Sequence, residues 1–125
     1  MAVNVFYRAL LTTNLLGIVI ASLLPGSDQV VGDWDKAGHL FMYSSLSFII
    51  CLNFFKARQR AVALLSGIAL GALMEICQSF IPGRAGSMFD QIANTMGVLI
   101  GTALFFIVGK RLDVVLKRFL KRIPW

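Results

Sequence analysis

Charge is scarce in this chain. Only 14% of its 125 residues are Asp, Glu, Lys or Arg, where a soluble domain carries about 25%. Apolar residues make up 58%, above the usual range of about 45–50%. This balance excludes an ordinary soluble domain and gives the composition of a membrane protein long enough for one domain. Cysteine is scarce too. Cys51 and Cys77 are too few for a disulfide framework or a metal cluster. They fall at opposite depths of the spans assigned below, so they read as small buried hydrophobes. His39 is the only histidine, and no HExxH, G-x-S-x-G or cysteine–histidine motif occurs. Neither a metal ion nor a cofactor is therefore expected. The net charge of +6 does not point to nucleic acid, because the basic residues flank apolar runs.

Four apolar runs are long enough to cross a bilayer, at residues 6–24, 37–55, 61–81 and 91–109. Pro25-Gly26 closes the first and Pro82-Gly83 the third. Arg8 before an apolar run is also the mark of a cleavable signal peptide. This run is long for one and no small-x-small site follows, so an uncleaved span is expected. Backbone groups in lipid must pair internally, which makes the spans helices. Short links make neighbours antiparallel, and the expected fold is an all-α, compact four-helix membrane bundle. Arg8, Lys56, Arg58, Arg60, Lys110 and Arg111 fall on one side of it. This places both termini in the cytoplasm and the loops 25–36 and 82–90 outside. Residues 110–125 form a basic tail. Leu112, Val115, Leu116, Phe119 and Ile123 recur at helical spacing, opposite Lys117, Arg118, Lys121 and Arg122. An interfacial helix on anionic lipid is expected there, either as a topology anchor or as a docking helix.

Small residues stripe two spans. Ala63, Gly67, Gly71, Glu75 and Ser79 are four apart on span three, as are Ala93, Gly97 and Gly101 on span four. Such spacing lets helix backbones approach closely, so the two stripes are expected to pack on each other. Glu75 then points inward, roughly 9 Å below Ile81. Gln78 lies one turn on, and Asp90 and Asn94 begin span four. Asp35, His39 and Tyr43 share one face at the start of span two. The topology brings Asp35, Lys36, His39, Glu75, Gln78, Arg84, Asp90 and Asn94 to one depth, at the outer leaflet. Ionisable residues converging inside a membrane mark a functional site by default. Asn14 and Asn53 read as interhelical hydrogen-bond donors.

Two blocks carry a family resemblance. One is D-K-x-x-H-x-x-x-Y, from Asp35 to Tyr43. The other runs Glu75, Gln78, Pro82, Arg84, Ser87, Asp90, Asn94, Gly97 and Gly101, and Ser22 to Pro25 also fits. The sequence resembles the VanZ-like family over about residues 15–105, with no break in the polar pattern. The resemblance implies a small multi-pass protein of the bacterial cytoplasmic membrane. The family's founding member is linked to resistance to the glycopeptide antibiotic teicoplanin.

Three functional readings follow. The first is a site for an anionic amphiphile, such as a lipid headgroup, a lipid-linked cell-wall precursor or a glycopeptide-type drug. Lys36 and Arg84 would hold the anion, and Glu75 and His39 would exchange protons with it. The second is a membrane-embedded hydrolase or transferase, of which one form is metal-assisted through His39, Glu75, Asp35 and Asp90. Ser44, Ser45 and Ser47 run down span two, but nothing marks one as a nucleophile. The third is a structural cluster in which Glu75 pairs with Arg84 or His39 while Asp35 and Asp90 cap their helices. The cytoplasmic half holds almost no intramembrane charge. A monomer thus offers no ion pathway, and only a dimer or larger assembly would make one.

Overall fold

A computed structural model describes residues 2–24, 33–84 and 86–120. Pro25, Gly26 and Asp28 of the loop expected on the outside lie outside the described residues, as do Lys121, Arg122 and Ile123 of the tail. Every regular element described is helical: α1 (Ala2–Leu23), α2 (Asp33–Asn53), α3 (Ala57–Gln78), α4 (Met88–Leu104) and α5 (Lys110–Leu120). Three stretches are long and apolar enough to cross a membrane, Val3–Leu23, Ala57–Gln78 and Met88–Phe119. The expected span 37–55 falls on α2, which is as long but carries Asp35, Lys36, His39 and three serines. These polar groups are affordable because α2 packs against α1, α3 and α4 together.

Polarity is distributed inside out. His39, Glu75, Gln78, Asp90 and Asn94 are buried, while Leu16, Ile20, Leu65, Ile76, Leu99 and Ile107 lie exposed. Water would penalise both halves of that pattern; lipid penalises neither, provided the inner groups pair. Two apolar clusters fill the rest of the interior. Ile18, Tyr43, Leu46, Ile50, Met74 and Val98 form one, and Tyr7, Cys51, Leu52 and Phe105 the other. Asn14 donates to Ser45 Oγ (2.7 Å) and Asn53 to the Tyr7 carbonyl (3.0 Å), so both asparagines bridge helices.

The glycine stripes have other partners than expected. Span four packs most extensively on α2, not on α3. A Cβ on Gly97 would lie 2.6 Å from the Leu40 carbonyl oxygen, and one on Gly101 would collide with the Ser44 carbonyl. On α3, Gly67 faces Leu46 and Ile50 of α2, and Gly71 alone meets α4, at Gln91 and Asn94. Small-residue spacing identifies a face for close approach but carries no information about which helix fills it.

The tail also differs. The reading of the sequence separated span four from an interfacial helix, yet α4 runs into α5 through a π-helical turn, Phe105–Gly109. No proline interrupts it, and the turn absorbs Gly109 against the Phe105 ring. Leu112, Val115 and Phe119 stay exposed on α5, while Leu116 packs beside Tyr7 and Phe105. The buried Tyr7 hydroxyl donates to Asp113 Oδ1 at 2.8 Å, and Lys117 pairs with the other oxygen at 2.6 Å. A hydrogen bond to a charged group contributes about 1.5 kcal/mol or more. Tyr7→Phe should therefore speed local opening of α5 roughly tenfold, read as faster hydrogen exchange over residues 110–120 with little change in α2.

Helix ends explain two arginines. Arg60 donates through Nε to the Phe54 carbonyl (3.0 Å) just past the end of α2. Its guanidinium lies 5.3 Å from the Phe105 ring centroid. The terminal carbonyls of a helix lack intrahelical donors and carry partial negative charge, which a cation satisfies. Arg84 does the same at the opposite end of the bundle, for α1.

Candidate polar site at one end of the bundle

Residue type and helix geometry assemble this site. Asp35 and His39 stand one turn apart on α2, Glu75 and Gln78 end α3, and Asp90 and Asn94 begin α4. All eight residues expected to converge do lie at this end, though they play unequal parts.

Glu75 is 7% exposed and reaches across to α4. Its Oε2 accepts the Ser87 backbone N–H at 3.0 Å, and its Oε1 lies 3.4 Å from Asn94 Nδ2. Ser87 is the N-cap of α4, its hydroxyl accepting the Phe89 N–H at 3.2 Å. The carboxylate thus sits where the helix dipole and unpaired N–H groups favour negative charge. Asp90 is therefore not the cap; it lies in the first turn, behind Ser87. Asp35 likewise lies inside the first turn of α2, which starts at Asp33.

Arg84 does not pair with Glu75. Its Nη1 donates to the Ala21 and Ser22 carbonyls, both at 2.9 Å, and its Nη2 approaches Asp35 Oδ1 at 3.4 Å. Gln78 joins the two groups. With its amide oriented to satisfy both neighbours, it donates to Glu75 Oε2 and accepts from Arg84 Nη1, each at 3.2 Å. Both terminal nitrogens of Arg84 are thus occupied by the protein. Lys36 is exposed, with its ammonium 6.0 Å from the Phe89 ring centroid.

Asn94, fully buried, links Glu75 to His39. A carboxylate only accepts hydrogen bonds, so the amide nitrogen of Asn94 faces Glu75 and its oxygen faces His39 Nδ1, at 2.9 Å. Nδ1 therefore carries a hydrogen, and the neutral ring keeps its lone pair on Nε2. His39 Nδ1 also lies 3.8 Å from Glu75 Oε1. Gly71 makes room for this arrangement, since a Cβ there would stand 3.1 Å from Asn94 Nδ2.

Beside the network is a cavity of about 210 Å³. Ile18, Met42 and Tyr43 form its apolar wall, and Asp35, His39, Gln78 and Arg84 its polar one. Glu75, Asp90 and Asn94 do not line it; they stand behind His39 and Gln78. The Tyr43 side chain is 1% exposed, and its hydroxyl has no hydrogen-bond partner among the described residues.

Reading the sequence missed the roles of Gln91, whose amide touches Asn94 at 3.5 Å, and of the Ala21 and Ser22 carbonyls. Backbone acceptors leave no side-chain signal; Gln91 could have been found as i−3 from Asn94 on the same face.

No curated protein and no solved structure matches this chain. A family model described as VanZ/LLP1 matches residues 4–109, which take in nearly all of α1, the whole of α2, α3 and α4, and every residue of the polar site. The match and the inside-out helical bundle agree, and the chain belongs to the VanZ/LLP1 family of multi-pass membrane proteins.

Proposed function

We propose that this protein binds the polar head of an anionic amphiphile in the cavity between α1, α2 and the end of α3. The observation that carries the reading is the Tyr43 hydroxyl. A buried hydroxyl without a partner is costly. Tyr43 lines a cavity that has an apolar wall, Ile18 and Met42, and a polar one, Asp35, His39, Gln78 and Arg84, the arrangement an amphiphile needs. His39 is the proton-exchanging group on the cavity wall, and Glu75, with Oε1 3.8 Å from its Nδ1, is the second acid–base group beside it. Arg84 and Lys36 contribute charge at the rim, Arg84 from a fixed position.

In the full reading α2 is a fourth span, enclosed by the other three. The basic ends of α1, α3 and α5 face the cytoplasm, and the polar site faces the outer leaflet of a bacterial cytoplasmic membrane. The exposed apolar side of α5 rests on the inner leaflet. Phospholipids and lipid-linked cell-wall precursors both present the required chemistry in that outer leaflet.

Tyr43→Phe is the discriminating variant. It removes a hydroxyl that no described residue satisfies, so the fold keeps its stability or gains slightly. Binding of dodecyl phosphate to the protein in maltoside micelles should weaken about tenfold, the loss of one hydrogen bond of about 1.4 kcal/mol. Equal binding by the variant, or no saturable binding by the native chain, would sink the reading. In that case the cluster only fixes the bundle.

A further inference from the structure

Asp35, Glu75 and Asp90 place three carboxylates at one end of the bundle, against two lysine or arginine cations. Glu75 is already satisfied by Ser87, Asn94 and Gln78. The other two carboxylates are not so well provided. Asp90 is buried, 7% exposed, and accepts no hydrogen bond from a described residue. Asp35 has Arg84 Nη2 at the long distance of 3.4 Å. Between them stands the ring of His39, whose side chain is 9% exposed.

The ring is oriented from behind. Asn94 accepts from Nδ1 because its own nitrogen is committed to Glu75, and this fixes the lone pair on Nε2. Nε2 makes no hydrogen bond with a described residue; Asp35 Oδ1 is 3.9 Å away, too far for one. One oxygen or nitrogen from each of Asp35, His39 and Asp90 lies within 4.8 Å of the other two. A histidine held through Nδ1 with Nε2 turned toward Asp35, and with Asp90 within the same 4.8 Å cluster, resembles a metal ligand with its supporting partner.

We propose that Asp35, His39 and Asp90 bind one divalent transition-metal ion, of the class of Zn²⁺ or Mn²⁺. One imidazole and two carboxylate oxygens suit such borderline ions better than Ca²⁺ or Mg²⁺. Donors around a four-coordinate ion with bonds of about 2.1 Å stand about 3.4 Å apart, so the three groups close by roughly 1 Å on binding. Asp35, whose side chain is 37% exposed, has the freedom to do so. Three protein ligands leave an open position. The ion deepens the headgroup reading, on which this last step rests, by supplying the positive charge that Arg84 does not have to spare. An oxygen of a phosphate or carboxylate head would take the open position.

The cation site is tested without any amphiphile. Chelator-stripped protein in a neutral maltoside detergent is titrated with ZnCl₂ alone, by calorimetry and by NMR of the imidazole. The expected result is one equivalent per chain, with the single histidine signal shifting in step. His39→Ala abolishes the uptake, and Asp90→Asn weakens it at least tenfold. Should either variant misfold, Asp35→Asn, on the more exposed ligand, gives the same tenfold weakening with helicity retained. Uptake below one equivalent, an unmoved histidine signal, or native affinity in Asp35→Asn overturns the proposal. Repeating the dodecyl phosphate titration with and without Zn²⁺ separates the two readings. Zinc uptake without amphiphile binding leaves the cation site standing and removes the headgroup role. Amphiphile binding to stripped protein that takes up no zinc does the reverse.

Discussion

Gly101→Val abolishes assembly of the bundle, at a cost above about 3 kcal/mol, whereas Gly17→Ala stabilises it by up to about 1 kcal/mol. The two glycines sit in apolar helices and look alike in the sequence. At Gly101 the new Cβ would run into the Ser44 carbonyl and the Ser47 hydroxyl of α2, and backbone cannot swing aside as a side chain can. At Gly17 nothing lies within 4 Å, so only the gain in helix propensity is felt. Gly97→Val should behave like Gly101→Val, with the Leu40 carbonyl and the Tyr43 Cβ in its way. The measurement is reversible unfolding in mixed micelles, with helicity as the signal. A Gly101→Val protein as stable as the native one would show that α2 and α4 do not meet along this seam.

Arg84→Lys loses about 3 kcal/mol although it keeps the charge. The guanidinium reaches two α1 carbonyls, Gln78 and Asp35 from two nitrogens. A single ammonium at the end of a flexible stem cannot cover acceptors spread over three helices. The loss leaves two helix-terminal carbonyls and a buried glutamine unsatisfied, which is the costly side of the exchange. Thermal unfolding of the two proteins checks this. An arginine that served only to hold a ligand would give the opposite pattern, with stability unchanged and ligand binding alone reduced.

The general shape of this protein was legible because lipid leaves few choices. Runs of apolar residues had to be helices, and the breaks at Pro82-Gly83 and near Lys56 had to be turns. The convergence of Asp35, His39, Glu75, Gln78, Asp90 and Asn94 followed from residue spacing and chain direction. Partner choice was not legible. Gly97 and Gly101 announce close packing equally well against α2 or α3, and what decided between them was the shape of α2, with Ser44 and Ser47 on its facing side. The contacts of Arg84 with α1 were not legible, because its acceptors at Ala21 and Ser22 are backbone atoms. The join between α4 and α5 was hidden for a different reason. The switch from an apolar span to a basic amphipathic pattern at Lys110 marks a change of surroundings, and a helix can cross such a change without a break.

That unbroken join has a mechanical consequence. Thirty-two residues from Met88 to Phe119 make a rod about 48 Å long, roughly 18 Å more than the thickness of a hydrocarbon core. One end is latched by Glu75 at Ser87, and the other carries Lys110, Arg111, Lys117 and Arg118. The π-helical turn Phe105–Gly109 is the irregular place within the rod. One helix thus joins the polar site to the basic end, so a displacement at either would be carried toward the other.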